Sequence, residues 1–156
     1  MPAARVLLAL VCSVLLSSPV SGQVTIPLRP KKTLTPGARF PVTKADVCVA
    51  GYSKKVRNVT QARKDSAFAE YGILHHVKGQ YEVDHLISLE LGGSNSLRNL
   101  WPQSYETKPW NAFVKDKLEN ALHREVCAGE LSLAAAQREI ATNWIAAYKK
   151  HIGPVP

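Results

Sequence analysis

The feature that most constrains the fold is an alternating run of residues followed by a glycine-rich turn. Between residues 80 and 91, apolar side chains stand at positions 81, 83, 87, 89 and 91, and polar side chains stand at positions 82, 84, 88 and 90. This two-residue period predicts a β-strand with one buried face. Residues 92–95 (Gly-Gly-Ser-Asn) predict a turn, and residues 97–101 predict a returning strand that Pro102 ends. The segment therefore predicts a β-hairpin.

Helical periodicity dominates the sequence after the hairpin. Apolar residues recur three and four positions apart within residues 113–126 and again within residues 133–148, which predicts two amphipathic helices. A shorter helix is predicted from Gln61 to about Tyr71, capped by Thr60 and stopped by Gly72. Because 156 residues are too few for several domains, we expect one small α+β domain.

The N-terminal segment has the pattern of a secretory signal peptide. Arg5 precedes an apolar run at residues 6–16, and a small-residue site follows at residues 20–22. The run has 11 residues, whereas a membrane span needs about 18 to 20. We therefore predict a signal peptide at residues 1–22, no membrane anchor, and export to the periplasm or the extracellular space. Proline and basic residues predict an extended arm at residues 23–44, followed by the folded domain at residues 45–156.

The charge of the chain indicates a polyanionic partner. Twenty Lys and Arg residues against 12 Asp and Glu residues give a formal net charge of +8. Loss of Arg5 with the signal peptide would lower this charge to +7. Such an excess favours nucleic acid first and an anionic membrane surface second. The alternative is that the excess charge only keeps an exported protein in solution.

Two cysteines, Cys48 and Cys127, remain after removal of the predicted signal peptide. An even number of cysteines in an oxidising compartment favours one disulfide. Zinc ligation is the alternative, although neither C-x-x-C nor H-x-x-x-H spacing occurs. The histidines that could join such a site are His75, His76, His85 and His123.

Three chemically useful side chains fall on the predicted hairpin. Asp84 and His85 are adjacent on the first strand, and Asn99 follows His85 by 14 residues on the returning strand. Metal-assisted hydrolysis of a phosphodiester needs oxygen ligands for a hard cation and a neutral imidazole that takes a proton from water. The alternative for His85 is a hydrogen-bonded core histidine, because strict alternation places it with Val83 and Ile87 on the apolar face.

Residues 81–87, 91–95 and 99–102 together resemble the HNH motif of ββα-metal nucleases, with small exported bacterial HNH-like proteins providing the nearest likeness. The likeness continues through the later helices and covers most of residues 45–150. It implies a ββα-metal core, a hairpin and a helix, packed by additional helices. It also implies a metal-dependent endonuclease.

The resemblance also implies a role for each motif residue. Asp84 would be a metal ligand, His85 the general base, and Asn99 the residue that braces the base and the loop. The family normally has a His or Asn early in the following helix, and we assign this second ligand to Asn111. Its alternatives are Asp116 and His123. Magnesium is the expected ion, with manganese, calcium and zinc as alternatives.

We therefore expect an exported endonuclease that cleaves DNA or RNA with little sequence preference. The candidate phosphate contacts are Arg57, Lys78, Arg98 and Lys115. Lys115 could instead pair with Glu119, one helical turn later. The alternatives are a noncatalytic module that binds nucleic acid or the cell envelope on the same scaffold, and a zinc-stabilised structural domain. Asp84, His85 and Asn99 together favour the enzyme, because a scaffold does not need all three.

Overall fold

Five helices and a two-stranded antiparallel sheet form the regular structure within residues 27–155, the part of the chain that the computed structural model describes. The helices are α1 (Lys44–Val47), α2 (Tyr52–Val56), α3 (Gln61–Glu70), α4 (Ala112–Ala128) and α5 (Leu133–His151). The strands are β1 (Tyr81–His85) and β2 (Leu100–Ser104). The predicted α+β class is confirmed. The predicted signal peptide lies outside the described residues.

The hairpin forms with shorter strands and a longer connection than the alternation predicts. Tyr81 pairs with Ser104 at one end of the ladder, and His85 pairs with Leu100 at the other. Residues 89–91 form a 3₁₀ turn instead of extending β1, and the left-handed backbone of Gly92 (φ 76°) closes that turn. Pro102 lies inside β2 rather than ending it. An edge strand tolerates proline because the missing N–H can face the open side of the ladder.

The three longer helices begin close to where the sequence predicts. The Thr60 side chain accepts a hydrogen bond from Arg63 N and caps α3. Asn111 caps α4 through its bond from Val114 N, and Ser132 caps α5 through its bond from Ala135 N. Helix α5 is interrupted at Asn143, whose φ of −162° and ψ of 91° are not helical.

Two hydrophobic clusters meet at the end of β1. The larger one joins α4, α5 and the connection between the strands, and the smaller one joins α3 and the hairpin. Leu86 enters the smaller cluster, whereas Ile87 enters the larger one. The two residues after His85 therefore anchor the strand end from both sides. The larger cluster contains Val47, Ile87, Leu91, Leu118, Leu122, Val126, Ala136, Ile140, Trp144, Ala147 and Tyr148.

The described part of the predicted arm, residues 27–44, lies along the hairpin and ends at the first residue of α1. Thr35 is fully buried, and its Oγ1 donates a 2.9 Å hydrogen bond to Leu100 O. Gly37 N donates to Arg98 O at 3.0 Å, and Phe40 N donates to Gly92 O at 2.8 Å. These bonds fix the arm to the domain and cover one side of the connection between the strands.

The predicted disulfide between Cys48 and Cys127 is present and joins residues 79 positions apart in sequence. It ties the end of α1 to the last turn of α4 and encloses the whole hairpin within one covalent loop. This bond is compatible with the predicted export. None of the helices within residues 27–155 has the length and hydropathy needed to cross a membrane.

Candidate functional site

The side chain of His85 is held by one hydrogen bond at the end of β1. Its Nε2 lies 3.1 Å from Oδ1 of Asn95, in the connection between the strands. Asn95 Nδ2 donates to Val56 O at 2.8 Å, and Asn58 N donates to Asn95 Oδ1 at 3.3 Å. Because a carbonyl only accepts and a backbone N–H only donates, these two bonds fix the orientation of the Asn95 amide.

This fixed amide determines which ring nitrogen of His85 carries the proton. Oδ1 of Asn95 can only accept, so Nε2 of His85 must be the donor. In the neutral imidazole, Nδ1 then keeps its lone pair. Within residues 27–155, Nδ1 makes no hydrogen bond and is not among the fully buried polar atoms. The free nitrogen can therefore accept a proton from a water molecule.

His85 is neutral at pH 7 in this environment. Only 3% of the residue is exposed. Burial lowers its pKa below the ordinary 6.5, and the nearby charges of Arg57 and Lys115 lower it further, although Asp84 opposes them. Neutral imidazole is the form that a general base requires. Because so little of His85 is exposed, a substrate must approach the imidazole at the end of β1.

Asn99 braces the connection between the strands rather than the imidazole. Its Oδ1 accepts from Ile87 N at 2.9 Å, and its Nδ2 donates to Ile87 O at 2.9 Å and to Ser94 O at 3.0 Å. A side chain on Gly93 would clash with this arrangement, since a Cβ there would lie 1.7 Å from Ile87 O and 2.7 Å from Asn99 Nδ2. Asn99 therefore holds the loop closed, while Asn95 holds the base. From its sequence, Asn95 is predicted only as a turn residue.

Lys115 lies at the centre of the charged cluster behind His85. Its Nζ is 2.7 Å from Asp84 Oδ2 and donates a 2.7 Å hydrogen bond to the carbonyl oxygen of His85. It also pairs with Glu119, four residues later on α4, as the helical spacing predicts. Burial opposes the charge on Lys115, but attraction to Asp84 and Glu119 outweighs it and raises the pKa of the ammonium. The lysine is therefore a permanent internal cation.

Several carboxyl groups surround this one cation and compete for it. Burial raises the pKa of Glu119, and the charge of Asp84 raises it further, although the neighbouring Lys115 opposes both effects. Burial and the charge of Asp84 raise the pKa of Glu82 to about 7, although Tyr105 donates a 2.7 Å hydrogen bond to its Oε2. Burial and Asp84 also raise the pKa of Asp116. The cluster holds protons near neutral pH.

The predicted magnesium ligands do not form a divalent-ion site. Oδ2 of Asp84 is paired with Lys115, and Oδ1 of Asn111 accepts from Val114 N at 3.1 Å to cap α4. One oxygen of Asp84 and the side-chain oxygen of Asn111 are thus engaged by other partners. The alternative ligand Asp116 belongs to the carboxyl cluster, and the alternative His123 lies instead beside the disulfide, 3.4 Å from Cys127 Sγ. These residues do not fit the metal that the resemblance implies.

A different group of side chains could hold a metal ion. Ligand atoms of Cys48, His123 and Cys127 lie within 4.8 Å of one another, and this is the one such three-residue group of His, Cys, Asp or Glu within residues 27–155. The two sulfurs are joined as a disulfide here, whereas metal ligation requires thiolates. Metal binding at this group would therefore require reduction of the bond.

The four predicted phosphate contacts occupy different places. Arg57 is exposed, and its charge acts on both His85 and Asp116. Arg98 is exposed on the 3₁₀ turn before β2, and Lys78 is exposed in the turn before β1, at the opposite end of that strand from His85. Like Arg57, both residues offer an exposed cation. Lys115 is fully buried with three acceptors around it, so the prediction that it contacts phosphate is corrected.

The resulting site is an oriented, neutral histidine at the end of β1, with Arg57 as an exposed cation whose charge acts on it and Lys115 as the buried cation behind it. Comparisons with protein-family models, curated proteins and solved structures found no match for this chain. The resemblance to HNH nucleases therefore stays a prediction from the motif residues.

Proposed function

We propose that the protein is an exported endonuclease that hydrolyses phosphodiester bonds of DNA or RNA, with His85 as the general base. The observation that carries the proposal is the orientation of His85, whose Nε2–H is committed to Asn95 and whose Nδ1 is free. A histidine that served only to fill the core would not need one ring nitrogen left without a partner. The motif resemblance supports the same role.

The reaction would proceed by attack of water on phosphorus. Nδ1 of His85 takes a proton from the water as its oxygen bonds to phosphorus, and the bond to the leaving oxygen breaks. The leaving oxygen takes its proton from solvent. Arg57 would bind the phosphate, because the residue is exposed and its charge acts on His85. Asn95 bonds to Val56 and Asn58, so it also couples the base to the segment that carries Arg57.

Binding would depend mainly on the phosphate backbone. The chain carries a net charge of +8, and the exposed cations Arg57 and Arg98 belong to segments that adjoin the end of β1. Backbone contacts position nucleic acid without reading its sequence, which supports weak sequence preference. Because the proposed mechanism uses no free strand end, we expect cleavage between internal nucleotides.

The test replaces His85 with glutamine, because a glutamine amide can still donate to Asn95 but cannot act as a base. His85→Gln should lower the rate of plasmid or RNA cleavage by about 10² to 10⁴ while the thermal melting point stays close to that of the parent protein. His75→Ala is the matched control, since His75 is exposed in a loop. Wild-type cleavage by folded His85→Gln would refute the catalytic assignment.

A noncatalytic nucleic-acid-binding module is the second candidate. The small exposure of His85, 3%, favours it, because a base must reach its substrate. In that case the wild-type protein would bind DNA or RNA in a filter-binding assay and would cleave neither. His85→Gln would then leave the binding affinity unchanged.

A further inference from the structure

The most unusual feature of the charged cluster is that three oxygen atoms converge on Nζ of Lys115. They belong to the Asp84 carboxylate, the Glu119 carboxylate and the His85 main-chain carbonyl. Two of them lie 2.7 Å from Nζ. Carboxylate and carbonyl oxygens that meet at one point are the donor set of a hard divalent cation. Here the ammonium occupies that point.

We infer that the Lys115 ammonium is the resident cation of this site, in place of a divalent metal ion. Phosphodiester cleavage with His85 as the base then does not require a divalent metal ion. The catalytic half of this inference rests on the proposed function. The ammonium donates hydrogen bonds to His85 O and to Glu119, and it lies 2.7 Å from Asp84 Oδ2 as an ion pair. A metal ion could not use the same oxygens while Lys115 remains among them.

The position of Lys115 is enforced by the fold. The residue is fully buried in the first turns of α4, and the Asn111 cap sets the start of that helix. Withdrawal of the ammonium would leave two partly buried carboxyl groups, with side chains 13% and 15% exposed, without their cation. Buried charges are strongly destabilising when their partner is removed. A metal ion in solution therefore competes against an internal cation that is covalently attached to the site.

Lys115 acts as a positioning residue in this scheme. It does not reach the surface, and it holds the main chain of His85 through the carbonyl bond. Its charge also offsets that of Asp84, the residue next to the base. A phosphate can then approach His85 without facing the uncompensated carboxylates of Asp84 and Glu119. The phosphate charge itself is met by the exposed Arg57.

The first experiment measures metal binding without reference to activity. The wild-type protein, with its disulfide intact, is titrated with Mn²⁺ and free ion is followed by electron paramagnetic resonance. We expect no stoichiometric Mn²⁺ site that depends on Asp84. Lys115→Ala removes the ammonium and the methylene chain that carries it, so the three oxygens should then bind one Mn²⁺ per chain. Lys117→Ala is the matched control, because Lys117 is exposed on the same helix.

A wild-type protein that binds one Mn²⁺ and loses that site in Asp84→Asn would overturn the inference, even where Lys115→Ala does not fold. A folded Lys115→Ala protein that gains no Mn²⁺ site would also overturn it. The second experiment compares wild-type cleavage of plasmid and RNA in EDTA and in magnesium. Equal rates support the inference, and cleavage in magnesium alone refutes it. If neither condition gives cleavage, the proposed function fails, while the Mn²⁺ titration still decides the role of Lys115.

Discussion

Replacement of Asn95 by alanine tests the central structural claim, that this amide fixes the tautomer of His85. The change removes the acceptor for His85 Nε2 and Asn58 N and the donor to Val56 O. Asn95 is only 7% exposed, so water cannot readily replace the lost partners. A typical hydrogen bond contributes about 1 kcal/mol, and we expect Asn95→Ala to lower the free energy of unfolding by about 2 to 3 kcal/mol.

The same substitution should release the imidazole. With no acceptor at Nε2, the proton can reside on either ring nitrogen, and Nδ1 loses its exclusive role. Nitrogen NMR of the His85 ring should show the Nε2–H tautomer in the wild type and a mixture in Asn95→Ala. Loss of the orienting partner should lower the cleavage rate by about 10- to 100-fold. Urea denaturation measures the stability of the two proteins separately. Their cleavage rates are then compared under conditions in which both proteins are folded.

Asn95→Asp supplies the opposite perturbation. It keeps an oxygen acceptor for His85 and adds a negative charge, which stabilises imidazolium and raises the pKa of His85. In the wild type this pKa is below 6.5, so the base is neutral at pH 7 and activity should fall only below pH 6.5. The fall in cleavage rate on the acid side of the pH profile should therefore occur at higher pH in Asn95→Asp. Unchanged ring-nitrogen shifts in both variants would refute the assignment of the tautomer to Asn95.

Three further predictions follow from the covalent bond, the helix cap and the surface charge. Replacement of Cys48 and Cys127 together by serine should lower the free energy of unfolding by about 4.5 kcal/mol in urea denaturation, because the bond spans 79 positions, and an unchanged midpoint would contradict this. Asn111→Ala should cost about 1 kcal/mol by loss of the α4 cap, and Asn111→Ser should recover most of it, whereas a metal-ligand role would make stability depend on added magnesium. In filter binding, the logarithm of nucleic-acid affinity should fall linearly with the logarithm of salt concentration, with similar slopes for unrelated sequences, and a flat response would exclude a phosphate-dominated interface.

Helical periodicity predicted the helices well because it reflects burial against one partner surface. The residues between 113 and 126 and between 133 and 148 lie in α4 and α5, and most of their apolar positions enter or pack against the larger core cluster, whereas Phe113 is 58% exposed. The alternation of the hairpin was less informative. Residues 86–91 reach both cores from a turn, so their apolar pattern does not require an extended strand. Periodicity records which side chains are buried, and several backbone paths can bury them.

Local spacing and tertiary contact contribute differently to the charged cluster. The pair between Lys115 and Glu119 follows from one helical turn of separation, and the sequence predicts it. The pair between Lys115 and Asp84 joins residues 31 positions apart and depends on how α4 crosses the hairpin. A lysine in a basic sequence is ordinarily exposed, which is why the surface role was predicted. The burial of Lys115 can be recognised only once the positions of Asp84 and Glu119 in the fold are known.

The partner of the base illustrates the same limit from the other direction. Asn95 stands in a Gly-Gly-Ser-Asn turn, where asparagine is common for its local backbone preferences, and such a position does not reveal a tertiary role. Its two hydrogen bonds to Val56 and Asn58 span 39 and 37 positions. Neither partner offers a side chain to the bond, because both act through backbone atoms. No pattern of residue types could therefore indicate the contact, although it is this contact that determines which nitrogen of His85 is free. The chemistry of His85 thus depends on hydrogen bonds between the Asn95 side chain and main-chain atoms, whose positions are set by the fold and not by residue type.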